Sequence, residues 1–217
     1  MVPENTVSSK PEITYPESDK QLRAYNTEKF RWIVTLQGGI DALFKDDPDV
    51  FVAANLLWYP VEGNNKLRMA PNVMVVFGRP KGERGSYLQW EEYNIPPQVA
   101  FDIFSPGNTG IEMLRNQEFY GRYGVEEYYI YDPDKRELLV LLRMDNLFRV
   151  IEPINGWVSP RLAVRFEITE SGLELYRPDG RKFSTYLQLE TQRQQAEERA
   201  NRLAEKLREL GIDPDAM

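Results

Sequence analysis

The feature that most constrains this chain is a succession of short, almost continuously apolar runs. They are residues 50–59, 71–77 and 99–104. Runs of this length cannot span a membrane, which needs roughly 20 apolar residues. They are typical of strands that are buried on both faces. The chain is therefore expected to build a buried sheet.

Helical patterns lie before and between these runs. The apolar residues of segment 27–45 recur at helical spacing, although Gly38 and Gly39 weaken the middle of that helix. Thr109 and Glu112 form the T-x-x-E pattern of a capping box, which opens a second helix after the third run. The polar, glycine-containing stretch between the second and third runs is predicted to be a long surface loop.

The chain is expected to have three parts. Residues 1–25 lack periodicity and contain three prolines, so they are interpreted as an irregular arm. Residues 26–184 form the main domain, which also includes short strands after residue 126. Residues 185–217 are predicted to form a C-terminal helix that needs a partner surface. Its seam residues recur at the heptad spacings 4, 3, 4 and 3; they are Ala196, Ala200, Leu203, Leu207 and Leu210.

Two chemically important residue types are missing from the composition. The 217 residues include no cysteine and no histidine, which excludes thiolate nucleophiles, zinc sites built on Cys or His, and Ser-His-Asp triads. Catalysis would need carboxylates, amides, hydroxyls, Lys, Arg or a metal held by oxygen. The net charge of −7 argues against a uniformly basic surface for nucleic acid, although it does not exclude a local basic groove.

The location expected from the sequence is the cytoplasm, with no membrane partner. No apolar run is long enough for a membrane span. The first twenty residues are rich in Pro, Glu, Ser and Lys and lack the apolar core of a signal peptide.

Asp102 is the strongest candidate for a functional residue. It lies inside the apolar run Val-Ala-Phe-Asp-Ile-Phe, where a structural strand has no use for a charge. Because burying an unpaired carboxylate costs several kcal/mol, Asp102 must find a metal, a cation, hydrogen bonds or a proton. For this residue alone, a structural carboxylate held by backbone amides or an arginine is an equally good interpretation.

Two asparagines occupy comparable places. Asn72 begins the second strand, and Asn116 lies on the helix that follows Asp102. Met113 and Tyr120 stand three residues before and four after Asn116, so one helical stripe should carry all three toward the sheet, whereas Arg115 should point elsewhere. Either asparagine alone is more typical of a cap or a core hydrogen bond. Strand ends combined with one helix position can nevertheless assemble the cluster that metal-dependent phosphodiester hydrolysis needs.

Three blocks of the sequence resemble the successive motifs of a known family. They are Pro71-Asn72-Val73, the segment from Phe101 to Pro106, and the segment from Phe119 to Pro133. Over residues 25–180 the chain is similar to the Uma-type putative restriction endonucleases, bacterial members of the PD-(D/E)XK nuclease superfamily. The resemblance implies an α/β (α+β) fold, with a restriction-endonuclease-like mixed sheet flanked by helices and a C-terminal helical extension. It also implies nucleic acid as a partner and Mg²⁺ as the cofactor.

The same resemblance implies Asn72, Asp102 and Asn116 as the catalytic positions, with Asp102 and Asn72 as the metal ligands. Family members usually carry Asp, Glu and Lys there, and Phe104 occupies the superfamily's usual strand position for the lysine. Asn72 offers Mg²⁺ a neutral oxygen, the Asp102 carboxylate is withdrawn by about one methylene, and Asn116 supplies no positive charge. These changes predict weak Mg²⁺ binding and little or no hydrolysis.

Three hypotheses for the function remain open. The first is a degenerate nuclease homologue that keeps the fold and binds nucleic acid or protein. The second is an active Mg²⁺-dependent endonuclease in which Glu112 joins Asp102, while Arg115 or a basic residue of loop 79–84 replaces the lysine. The third is a non-catalytic assembly protein that acts through its C-terminal helix. A homodimer through the domain or through this helix is expected.

Overall fold

The computed structural model describes residues 13–17, 27–105, 108–210 and 213. Residues 1–12 and 18–25 of the predicted N-terminal arm lie outside the described residues, and so do 211–212 and 214–217 of the predicted C-terminal segment. Within the described ranges, no helix combines the length and the apolar character that crossing a membrane requires.

A mixed six-stranded sheet forms the centre of the domain. Its strands are β1 (Val50–Ala54), β3 (Val73–Phe77), β5 (Val99–Ile103), β6 (Glu127–Asp132), β7 (Glu137–Met144) and β8 (Leu147–Val150). They are ordered β1-β3-β5-β6-β7-β8 across the sheet. Only β5 and β6 are parallel neighbours in this sheet as described; the other pairs are antiparallel. The predicted mixed sheet is confirmed.

The described residues include three α-helices beside the sheet. They are α1 (Thr27–Leu43), α2 (Gly110–Tyr123) and α3 (Tyr186–Glu209). Since two parallel neighbours need a crossover connection, α2 joins β5 to β6. The Thr109 side chain caps α2 by accepting a hydrogen bond from the backbone N–H of Glu112, as the sequence predicts. Gly124, with a φ of 105°, ends the helix.

Two segments differ from the sequence prediction. Residues 50–59 are not one strand, because Asn55 adopts a φ of 52° and turns the chain out of the sheet after Ala54. The strand β2 (Trp58–Tyr59) follows and pairs in parallel with β4 (Tyr87–Leu88). The predicted loop between β3 and β5 therefore contains β4 and also a 3-10 helix, Gln89–Glu92. Strands of two residues are too short to leave a periodic pattern in a sequence.

A second, three-stranded antiparallel sheet follows the main one. It consists of β9 (Trp157–Val158), β10 (Arg165–Thr169) and β11 (Gly172–Tyr176), in the order β11-β10-β9. Ala163 has a φ of 53°, which the regular extended conformation does not allow, so β10 begins only after it.

Two hydrophobic cores lie on the two faces of the main sheet. On one face α1 and the second sheet pack against Val99, Phe101 and Ile103 of β5. On the other face α2, β2 and β4 pack against Ala100 of the same strand and Tyr128 of β6. Because side chains alternate along a strand, Asp102 points to the α2 face.

The C-terminal helix α3 is exposed along its length. None of its residues is buried. The seam residue Leu203 is 55% exposed, and Leu210, just past the last helical residue, is 74% exposed. A capping box fixes its start: the Thr185 side chain accepts from the Gln188 N–H, and the Gln188 side chain accepts from the Thr185 N–H.

Candidate functional site

The adjoining ends of β3 and β5 bring Asn72 and Asp102 together. The two strands are antiparallel, with Val73 opposite Phe101, so the next residue outward on each strand is Asn72 or Asp102. The backbone N–H of Asn72 donates to Oδ1 of Asp102 at 3.2 Å. In return, the side-chain oxygen of Asn72 accepts the backbone N–H of Ile103 at 2.8 Å. This reciprocal pair of bonds joins the ends of the two strands.

Helix α2 adds the third predicted position. Nδ2 of Asn116 donates to Oδ2 of Asp102 at 3.0 Å. Tyr120 is fully buried and Met113 packs against the same core, while Arg115 is exposed. The predicted orientation of Asn116 toward the sheet is therefore confirmed, and the structure brings all three candidate residues into one cluster.

Two tyrosines that the sequence analysis did not assign to the site complete the surroundings of Asp102. The Tyr128 hydroxyl donates to Oδ2 at 2.8 Å, and the Tyr120 hydroxyl lies at 3.4 Å from the same oxygen. In the parallel register Ile130 stands opposite Asp102, so Tyr128, two residues earlier, shares its face of the sheet. Tyr120 shares the helical stripe of Asn116. Both positions could have been found from periodicity once the order of the strands was known.

Asn55 is a further member of the cluster. Its side-chain oxygen accepts a hydrogen bond from Nδ2 of Asn72 at 3.2 Å. Its left-handed backbone conformation, which asparagine tolerates better than most residues, both ends β1 and turns the side chain toward Asn72. The sequence signal was the polar interruption of an apolar run.

The electrostatic state of Asp102 reflects opposing influences. Burial raises the pKa of its carboxyl above the usual range. Hydrogen bonds from the Tyr128 hydroxyl, the Asn72 N–H and the Asn116 side chain act in the opposite direction, and so does the positive charge of Lys29. Burial and the neighbouring Asp102 charge also raise the pKa of Tyr128, so its hydroxyl keeps its proton and acts as a donor.

The cluster does not have the composition of a Mg²⁺ site. Mg²⁺ requires near-octahedral oxygen ligands and is usually held by one or two carboxylates. Here Asp102 is the one carboxylate of the cluster, both of its oxygens accept protein hydrogen bonds, and the Asn72 oxygen is bonded to the Ile103 N–H. Among the residues that the structure describes, no group of three or more His, Cys, Asp or Glu side chains could hold a metal ion. We conclude that the residues present do not fit Mg²⁺ in this arrangement.

The sequence analysis offered other residues as a second metal ligand or as a replacement for the lysine. Their positions differ. Arg79 and Arg84 both bind Glu92, at 2.5 and 2.6 Å, and Lys81 binds Asp41 at 2.6 Å. None of these ion pairs involves Asp102. Glu112 is exposed and accepts a bond from Asn108 at 3.2 Å, but its charge contributes to the raised pKa of Tyr128. Of these candidates, Glu112 is the one within electrostatic reach of the cluster.

The strands and helices define a mixed α/β domain. Its sheet is covered by helices, and polar residues meet where β3 begins and β5 ends. The model of the Uma2 family, described as putative restriction endonuclease, matches residues 31–168, which is more than half of the chain. The chain therefore belongs to this family.

Comparison with solved structures agrees with this fold. The chain is similar to the crystal structure of a putative nuclease belonging to DUF820 from Anabaena variabilis ATCC 29413, with a TM-score of 0.50. The two share 16% sequence identity, and the match covers 66% of this chain and 78% of that chain. Comparison with curated proteins gives no match.

Proposed function

We propose that this chain is a non-cleaving member of the restriction-endonuclease-like family, in which the former catalytic centre is a closed hydrogen-bond network. The observation that carries the proposal is the engagement of Asp102. Its two oxygens accept from the Asn72 N–H, the Asn116 amide and the Tyr128 hydroxyl. With the Tyr120 hydroxyl also 3.4 Å from Oδ2, this carboxylate must give up protein bonds before it can bind a metal or orient water.

The cation position supports the same proposal. Phosphodiester hydrolysis builds negative charge on the phosphate, and a lysine at the site stabilises that charge. The Asn116 side chain is neutral, and in the structure its Nδ2 donates to Asp102. The chain is therefore expected to bind Mg²⁺ weakly and to leave DNA intact.

Plasmid cleavage in Mg²⁺ or Mn²⁺ tests this proposal, with metal binding followed by calorimetry. The wild-type chain should leave supercoiled plasmid uncut, and titration should show weak or no metal binding. Metal-dependent cutting that disappears in Asp102→Ala would overturn the proposal.

Restoring the family's residues tests the mapping of the site. The triple variant Asn72→Asp, Asp102→Glu, Asn116→Lys should bind Mg²⁺ more tightly than the wild type and cleave plasmid when Mg²⁺ is added. Two facing carboxylates can share a divalent ion, and a lysine restores the missing cation. A folded triple variant that neither binds metal nor cleaves would show that these positions were assigned wrongly.

Nucleic acid is the ligand that we propose for the non-cleaving protein, because the family is described as endonucleases. Binding should be electrostatic and should weaken as salt is raised. Fluorescence anisotropy with a labelled duplex, from low to physiological salt, measures this. Binding that is absent even at low salt would favour a protein partner instead.

A second candidate function is an active metal-dependent nuclease that uses Glu112. The observation in its favour is that Glu112 lies one helical turn before Asn116 on α2, and its charge acts on Tyr128, beside Asp102. If the wild type cuts, each of the single variants Glu112→Gln and Asp102→Ala should abolish cutting. Glu118→Gln, on an exposed position of the same helix, is the matched control. Cutting that survives Glu112→Gln would exclude this ligand.

A further inference from the structure

Helix α1 carries a lysine on its inward-facing stripe. The buried residues of the helix are Lys29, Ile33, Leu36 and Ile40, at the spacings 4, 3 and 4 of a helical face that packs on a sheet. Lys29 is only 7% exposed, whereas the flanking Glu28 and Phe30 are exposed. A lysine is rarely buried to this extent unless its charge has a defined role in the structure.

The placement of α1 along the sheet locates this lysine. Early in the helix, the Trp32 ring packs edge-on against Tyr131 at 4.7 Å, and Tyr131 lies opposite Ile103 in the β5–β6 register. Beyond the other end of the helix, Phe44 packs against Phe77 at the carboxyl end of β3. The first turn of α1 therefore lies at the end of the sheet where β3 begins and β5 ends.

Asn72 and Asp102 lie at the same end of the sheet. Lys29 approaches it from the α1 face of the sheet, whereas Asn116 and the two tyrosines approach it from the α2 face. The positive charge of Lys29 acts on the Asp102 carboxyl and favours its ionised form. The placement of the first turn of α1 and the charge of Lys29 thus point to the same carboxylate.

We propose that Lys29 is the cationic partner of the Asp102 centre, supplied by α1 in place of a lysine on α2. Lys29 acts as a positioning residue: its charge holds the Asp102 carboxylate in the hydrogen-bonded arrangement that joins β3, β5 and α2. This inference deepens the proposed function and rests on it, since a centre that has lost its α2 lysine still needs a positive charge to balance a half-buried carboxylate.

A double-mutant cycle on the full chain tests the pairing. The four proteins are the wild type, Lys29→Met, Asp102→Asn and the double variant, each unfolded in urea. Methionine keeps the apolar stem of lysine without its charge. If the charges are coupled, Lys29→Met should lower the folding equilibrium constant at least about fivefold more in the presence of Asp102 than in its absence. Additive effects would overturn the proposal.

Two further variants separate charge from packing. Lys29→Arg keeps the charge and should retain most of the wild-type stability. Arg31→Met removes an exposed charge from the same helix and should give effects additive with Asp102→Asn. Should Asp102→Asn fail to fold, amide exchange at the Asn72 N–H, which bonds Asp102, decides instead: Lys29→Met should speed it at least about fivefold relative to Lys29→Arg. Equal exchange in the two variants would reduce Lys29 to a packing role.

The outcome is independent of the cleavage assays. Plasmid cutting by the wild type would overturn the proposed function and leave the cycle unaffected. If the wild type leaves plasmid uncut and the effects in the double-mutant cycle are additive, only the proposed role of Lys29 is overturned.

Discussion

The Asp102 carboxylate accepts hydrogen bonds from three elements of the chain. The start of β3 supplies a backbone N–H, α2 supplies the Asn116 amide, and β6 supplies the Tyr128 hydroxyl. This single residue therefore links parts of the domain that are distant in sequence. Hydrogen bonds to charged groups are also stronger than bonds between neutral groups. The neighbours of Asp102 therefore matter for stability whether or not the centre has an activity.

Removing the Tyr128 hydroxyl should reveal this contribution. Tyr128→Phe keeps the ring in its fully buried site but deletes the donor that lies 2.8 Å from Oδ2 of Asp102. We expect the free energy of unfolding to fall by about 1–3 kcal/mol, because a half-buried charged acceptor loses a partner. Urea unfolding measures this. Tyr93→Phe, at an 81% exposed position, is the control and should leave stability unchanged.

Some residues of this centre could be predicted from the sequence and others could not. A charge inside an apolar strand and a polar residue on an inward helical stripe are local signals, so Asp102 and Asn116 could be predicted. Tyr128 and Lys29 could not be assigned to Asp102, because their contribution depends on which strands are neighbours and on where α1 lies along the sheet. Asn55 was visible only as an interruption, since nothing local shows that its left-handed backbone turns it toward Asn72.

At the scale of elements, α1 shows how close packing selects glycine. The adjacent Gly38 and Gly39 weaken the helix in the sequence analysis, but the structure gives them different roles. A Cβ on Gly39 would come within 2.7 Å of Cε2 of Phe183, whereas a Cβ on Gly38 would meet nothing within 4 Å. Gly39 therefore allows the chain leading into α3 to pack closely on α1.

The two glycines form a matched pair for mutation. Gly38→Ala should stabilise the protein by about 0.5–1 kcal/mol through helix propensity. Gly39→Ala should destabilise it by about 1–3 kcal/mol, because Phe183 must move. Thermal or urea unfolding of both variants gives the comparison. Equal effects of the same sign would mean that Phe183 does not limit the approach.

Strand β6 is joined to the second sheet through Glu127, which is 1% exposed. Its oxygens accept from the hydroxyls of Ser159 and Tyr129 and from the Arg161 N–H. Burial nevertheless dominates and raises the pKa of Glu127 above the ordinary 4.5. In the folded protein this residue therefore holds its proton to higher pH than in the unfolded chain.

The sign of the resulting pH dependence follows from linkage. A raised folded-state pKa gives a contribution to stability that is fully present below pH 4.5 and is lost as pH rises through the folded pKa. Glu127→Gln removes this titration, so the stability of the wild type relative to the variant should decline as pH rises above 4.5. Urea unfolding of both proteins across that range measures the difference. A difference that grows with pH would contradict the raised pKa.

At the scale of the whole molecule, the main sheet was more predictable than the short strands around it. The apolar runs and the capped α2 have strong local signals, and the resemblance to the family implied the mixed sheet. The two-residue strands β2, β4 and β9 have no such signal, because pairing with distant segments stabilises them rather than any pattern of their own. The homodimer remains a prediction, and so does the assembly role of α3.

Truncation separates α3 from the domain. Deleting residues 187–217 should leave the urea midpoint of the domain unchanged, since no residue of α3 is buried. If the heptad seam mediates self-association, the same deletion should convert an oligomer to a monomer in light scattering. Replacing Leu203 and Leu207 with Glu in the full chain should do the same. An oligomer that survives both changes would place the interface elsewhere.

The capping box at the start of α3 also has a practical consequence for protein engineering. Thr185 and Gln188 fix the first turn of the helix through bonds within the turn, and nothing further along α3 is buried. A different helical sequence fused in frame after Gln188 should therefore begin its helix at the same residue. The domain could serve as an end-piece for a chosen helix, because two side chains fix where the first turn begins.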